Sequence, residues 1–123
     1  MYLPDTNIFI NFFKRSEREL NLMQRLIIQN SLVLSVVVIG EIYAKADDRE
    51  KRIFDKFLLR FHILDIDVKT AKIAGEYRKK FLRTNRTILL DCFLAAQAKV
   101  HSLTLVTNNK ADFPMKDIKI ISP

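Results

Sequence analysis

Asp5, Glu41, Asp91 and the pair Asn109/Asp112 are the residues of this chain whose types could do chemistry together. Each stands at the edge of an apolar segment. One carboxylate beside an apolar run is ordinary, but several at such edges describe an oxygen-rich site of the kind that hard divalent cations prefer. Three or more acids gathered without a cation repel one another strongly, so a shared pocket implies a neutralising ion. Asp91 is the most telling member, because between Leu90 and Cys92 in so apolar a segment a carboxylate needs a partner. Ions held in this way polarise phosphate oxygens and activate water, so the chemistry indicated is phosphodiester cleavage. Taken singly, each acid has a plainer reading. Asp5 suits a turn and helix cap, Glu41 a helix surface, and Asp112, before Phe113-Pro114, an ordinary turn.

These side chains can meet only if the elements that carry them are arranged to bring them together. Residues 2–4 read as a short strand that Pro4, lacking an N–H, should end. Asp5-Thr6-Asn7 then forms a turn able to cap a helix over 8–14. Helical spacing of Leu20, Met23, Leu26 and Ile27 predicts a helix over 17–29, followed by a buried strand over 32–35. A helix starting near Val36 carries Glu41 within its first two turns. Residues 47–61 form an amphipathic helix, 62–64 a strand, and Asp67 caps a long helix to about Leu82. Asn85 and Arg86 break it. The very apolar segment 87–100 is a buried helix with Asp91 in or just after its first turn. Strands over 103–106 and 118–121 flank a loop or helical turn over 107–113. Strands alternating with helices predict an α/β fold with a parallel sheet flanked by helices, and ligands then bind beyond the carboxyl ends of the strands. Asp5 and Asn109 directly follow strands, while Glu41 and Asp91 lie on early helical turns, so one common site is feasible.

With 123 residues, 49% of them apolar, the chain suits one compact domain over 1–123 with no linker or repeat. Its longest apolar stretch, 32–40, is broken by Ser35 and is far too short to cross a bilayer. Asp5, Asn7 and Asn11 interrupt the apolar start in a way that does not suit a signal peptide, so a cytoplasmic location is expected. A single cysteine excludes an intramolecular disulfide and a Cys-rich zinc site, and Cys92 reads as a small core residue. His62 and His101 are isolated, and His101 suits the negative end of the preceding helix. A formal charge of +7 attracts polyanions, nucleic acid above all. The densest basic stretch, Arg78, Lys79, Lys80, Arg83 and Arg86, precedes the segment that holds Asp91 and is a candidate RNA-binding surface, though such runs also serve as solvated helix faces.

Four blocks in order then carry a family likeness: Tyr2-Leu3-Pro4-Asp5-Thr6-Asn7-Ile8, Gly40-Glu41-Ile42, Asp91-Cys92-Phe93-Leu94-Ala95-Ala96-Gln97-Ala98, and Leu105-Val106-Thr107-Asn108-Asn109 with Asp112-Phe113. Together they span nearly the whole chain. In order and spacing the sequence resembles the PIN-domain ribonucleases, and most closely the small VapC-type toxins of toxin–antitoxin modules. The resemblance implies a PIN-like three-layer fold whose central, mostly parallel sheet has four to five strands. It implies a metal-dependent endoribonuclease using Mg²⁺ or Mn²⁺, with Asp5, Glu41 and Asp91 as metal-binding acids and Asn7 and Thr107 supporting them. It also implies a homodimer inhibited by a cognate antitoxin protein. At the fourth acidic position this chain departs from the pattern: Asn109 stands two residues after Thr107, with Asp112 near enough to contribute.

In-line attack of an activated water on RNA at such a site leaves a 5′ phosphate and a 3′ hydroxyl. No histidine is placed for a general acid–base ribonuclease mechanism. A non-catalytic RNA- or protein-binding domain of the same fold is the principal alternative, and metal dependence separates the two. A nuclease acting on DNA is another, because no residue here reads a 2′ hydroxyl. Phosphatases that resemble Asp5-Thr6 after a first strand need a second aspartate where Asn7 stands.

Overall fold

The computed structural model describes residues 1–82 and 87–123. Five three-residue strands are present: β1 (Tyr2–Pro4), β2 (Val33–Ser35), β3 (His62–Leu64), β4 (Thr104–Val106) and β5 (Lys119–Ile121). Between them run α1 (Thr6–Phe13), α2 (Glu17–Ile28), α3 (Val36–Lys45), α4 (Asp48–Arg60), α5 (Val68–Lys80) and α6 (Leu89–Val100), with a 3-10 turn at Lys110–Asp112. This is the expected α/β architecture, with every strand pairing parallel.

The sheet is less continuous than expected. β1, β4 and β5 form one ladder with β4 in the middle, and β2 and β3 form another. A single parallel bridge, Tyr2 to Leu32, joins them, with the Tyr2 N–H donating to the Ser31 carbonyl at 2.9 Å. In a parallel ladder the next bond from β1 would come from the N–H of residue 4. Pro4 has none, so the ladder stops there.

Local signals explain the helix boundaries. α1 begins two residues before the expected start because Asp5 is itself the N-cap, accepting from the Ile8 N–H at 3.2 Å. The Ser35 hydroxyl caps α3 through Val37, and Asp67 caps α5 through Thr70. Asp47 and Glu50 form a reciprocal capping box on α4. α6 starts at Leu89 rather than 87, with Ile88 still extended. Three helices close on left-handed residues that are not glycine: Arg15, Asn30 and Ser102. In each, the following residue's N–H reaches back to the last turn, from Ser16 to Asn11, Ser31 to Leu26 and Leu103 to Ala98.

An aromatic cluster dominates the core between α1 and α4. Phe9 is fully buried and meets Phe54 and Phe57 edge-on, with centroids 5.3 and 5.9 Å apart. On the other side α6 packs along α5, and its small buried residues Cys92, Ala95 and Ala96 allow close approach. Buried Gln97 donates to the carbonyls of Leu64 and Asp65 and accepts from Ser35, tying α6 to the ends of β2 and β3.

Candidate active site

With β1 beside β4 and the two-stranded ladder on the other flank of β1, successive connections leave the centre in opposite directions. Crevices in α/β sheets open at such a switch point, beyond the carboxyl ends of the strands. Asp5 follows β1 there and Thr107 follows β4. Their backbones are fixed by the sheet, Asp5 N–H to Val106 at 2.9 Å and Thr107 N–H to Ile121 at 3.0 Å. The Thr107 hydroxyl donates to Asp5 Oδ2 and accepts from the Asn109 N–H at 3.0 Å. One residue further, at the first position of α1, the Thr6 hydroxyl donates to Glu41 Oε1 at 2.8 Å and sets that carboxylate, which α3 carries.

A cleft of about 70 Å³ opens here, lined by Asp5, Thr6, Asn7, Glu41, Lys45, Asp91, Asn109 and Asp112, with Leu90, Leu94 and Phe113 as apolar walls. The structure therefore brings together all five candidate acids and amides, and Asn7 with them. Thr107, also buried, touches the site through Asp5.

The electrostatics of the cleft are unfavourable to charge. Burial raises the pKa of Asp5, opposed by the hydrogen bonds from Thr107 and Ile8. Asp91 is pushed up to about 6, first by burial and then by the negative charges of Asp112, Glu41 and Asp5. Among these charged neighbours Asp112 acts most strongly on Asp91. The acids and amides that line the cleft offer oxygen ligands, which suit Mg²⁺ or Mn²⁺. Among the described residues no three His, Cys, Asp or Glu side chains converge closely enough to form a finished metal cage. The acids share a cleft, but they stand around it rather than closing on one point.

The described members of the basic stretch differ in exposure. Lys79 and Lys80 are exposed, whereas Arg78 is half-buried, with one guanidinium nitrogen enclosed and unbonded, and its charge reaches Cys92. Arg83 and Arg86 lie outside the described residues. Cys92 is fully buried and its thiol pKa is raised, chiefly by burial, as expected of a core cysteine.

Three contributors were not evident from residue type. Thr6 orients Glu41, Lys45 enters the cleft four residues after it, and buried Glu19 accepts from Asn108 at 2.9 Å, tethering the loop that holds Thr107 and Asn109. The i, i+4 spacing was a signal for Lys45. Glu19 had none, because its partner is 89 residues away.

The PIN domain family profile matches residues 2–119. The chain belongs to the PIN-domain family. This PIN domain is 30% identical over 117 residues to the tRNA(fMet)-specific endonuclease VapC of Shigella flexneri, covering 91% of this chain and 89% of that one. It is 32% identical over 120 residues to Ribonuclease VapC2 of Haemophilus influenzae, with the same coverage. In three dimensions it superimposes on VapBC2 from Rickettsia felis, solved bound to a DNA fragment from its promoter, with a TM-score of 0.80 at 26% identity over 98% of this chain and 97% of that one. These likenesses make it a VapC-type PIN domain. No helix among the described residues is long and apolar enough to cross a membrane.

Proposed function

We propose that this PIN domain is a metal-dependent endoribonuclease that hydrolyses RNA phosphodiester bonds as the toxin of a toxin–antitoxin pair. The observation that carries the reading is the cleft at the switch point, which Asp5, Glu41, Asp91 and Asp112 line together and which resists the charges of Asp5 and Asp91. Kinship with VapC ribonucleases narrows the polymer to RNA. Asp5, Glu41 and Asp91 would hold Mg²⁺ or Mn²⁺, which when bound polarises the phosphate and lowers the pKa of water. The Thr107 and Thr6 hydroxyls fix the carboxylates of Asp5 and Glu41, so their oxygens are oriented before any ligand arrives. Asn7 and Asn109 add neutral oxygens to the set, and Asp112 adds a fourth charge. Lys79 and Lys80 are exposed and suited to flanking RNA phosphates. The VapBC neighbours support a cognate antitoxin as partner, and inhibition by it and assembly as a homodimer belong to the same reading.

The test is cleavage of bacterial tRNA, initiator tRNA included, by the purified chain. Cleavage is expected to stop in EDTA and return with Mn²⁺ or Mg²⁺, leaving 5′ phosphates. Undiminished cleavage in EDTA would overturn metal dependence, and cleavage of DNA but not RNA would move the enzyme to the alternative substrate.

A further inference from the structure

Among the described residues that line the acidic cleft, Lys45 alone carries a positive charge. It lies in the last turn of α3, four residues after Glu41 and on the same helical face. Glutamate four residues before a lysine is that lysine's ordinary partner. Here Glu41 Oε1 is taken by the Thr6 hydroxyl at 2.8 Å, and among the described residues Lys45 makes no ion pair or hydrogen bond. Its side chain is exposed at the cleft, a compact, strongly hydrated charge on a flexible stem. A phosphodiester entering this space meets the carboxylates of Asp5, Glu41 and Asp91, which repel it. A protein cation at the cleft would offset that repulsion, and of the described basic residues at 78–80 none is among those lining the cleft.

We infer that Lys45 binds the RNA phosphate seated over the acidic cleft, a substrate contact that rests on the ribonuclease reading above. Its place at the end of α3 offers a competing role, because a lysine there also complements the helix's negative end. The two roles differ in what they change. A phosphate contact alters the salt dependence of RNA binding and KM, whereas a helix-end charge alters only thermal stability.

The experiment follows binding of a fluorescein-labelled single-stranded RNA of mixed sequence by anisotropy, in EDTA across a KCl series. Lys45→Gln should lower the slope of log affinity against log salt by about 0.7 and weaken binding roughly five- to tenfold at low salt. Lys45→Arg should restore both to within about twofold, since either side chain supplies the charge. Lys119→Gln, at the opposite end of the sheet, is the control that leaves the slope unchanged. With Mn²⁺ and tRNA, Lys45→Gln should raise KM about tenfold and change kcat far less. A Lys45→Gln protein with the wild-type slope and KM, even one that melts earlier, overturns the inference and leaves Lys45 a helix-end charge. So does failure of Lys45→Arg to restore binding in a folded protein. If wild type binds RNA but never cleaves it, the ribonuclease reading fails while the slope still decides the role of Lys45. If wild type binds no RNA, both fall.

Discussion

Helix α1 runs from the most acidic place in the molecule to its most aromatic one. At its start Thr6 holds the Glu41 carboxylate, and Asp5 lies where burial and the charge of Glu41 work against its ionisation. One and two turns on, the rings of Phe9 and Phe13 lie among those of Phe54 and Phe57. The aromatic end contributes the stability that lets the acidic end remain unfavourable. Removing a side chain should therefore harm the fold at one end of the helix and the chemistry at the other.

The largest effect is expected in the aromatic cluster. Phe54→Ala, at a fully buried position, should lower stability by about 3–5 kcal/mol and Tm by roughly 10–20 °C, read by thermal melting. A loss below about 1 kcal/mol would mean that this cluster is not where the stability lies. The cleft should respond in the opposite way. Asp5→Asn, Glu41→Gln or Asp91→Asn should each lower kcat with Mn²⁺ by about 10²–10³-fold while the fold persists. Asparagine can still cap α1 at position 5. Unfolding of these variants would make the acids structural and erase the contrast.

A smaller effect concerns pH. Asp91 binds its proton more tightly in the folded chain, with a pKa of about 6 against an ordinary 3.8. Its contribution is thus most favourable below pH 3.8, declines as pH rises between the two values, and is a full penalty above about 6. Without metal, Asp91→Asn should melt above wild type at neutral pH by roughly 1 kcal/mol, allowing for partial solvent screening, and the gap should close towards pH 4. A gap that is constant with pH would point to packing rather than charge. The smallest effect lies beyond the far end of the same helix, where Arg15 holds a φ of 61°. Glycine tolerates that conformation freely, so Arg15→Gly should raise stability by about 0.5–1 kcal/mol, net of its greater unfolded-state entropy. A fall in Tm would show that the arginine side chain contributes more than its backbone strain removes.

Much of this arrangement was legible in the chain because its signals are local. Caps at Asp5 and Asp67 mark helix starts, apolar spacing marks α2 and α4, and the strand-edge acids point to one shared cleft. The break between the ladders was written in Pro4, yet reading it needs the register with Leu32, which sequence does not supply. Left-handed closures at Arg15, Asn30 and Ser102 went unseen because glycine, their usual mark, is absent from all three. The Thr6–Glu41 and Glu19–Asn108 contacts join residues 35 and 89 positions apart, and no periodicity reports such pairs. The basic stretch was legible as charge but not as exposure. Charge spacing along a helix does not reveal that Arg78 turns inward beside Cys92 while Lys79 and Lys80 face solvent.

The single bridge between Tyr2 and Leu32 makes a seam, and the seam runs through the cleft. Asp5 and Thr107 belong to the ladder on one side, while Glu41 rides on the helix that leaves β2 on the other. Across it lie the Thr6–Glu41 bond and, deeper, the buried amide of Gln97 gripping Ser35 and the end of β3. A seam with so few backbone bonds is where partial opening is easiest, and opening there would part the acids from one another. Whatever binds the carboxylates of both sides closes the seam as it binds, so occupancy of the cleft and rigidity of the sheet become one equilibrium.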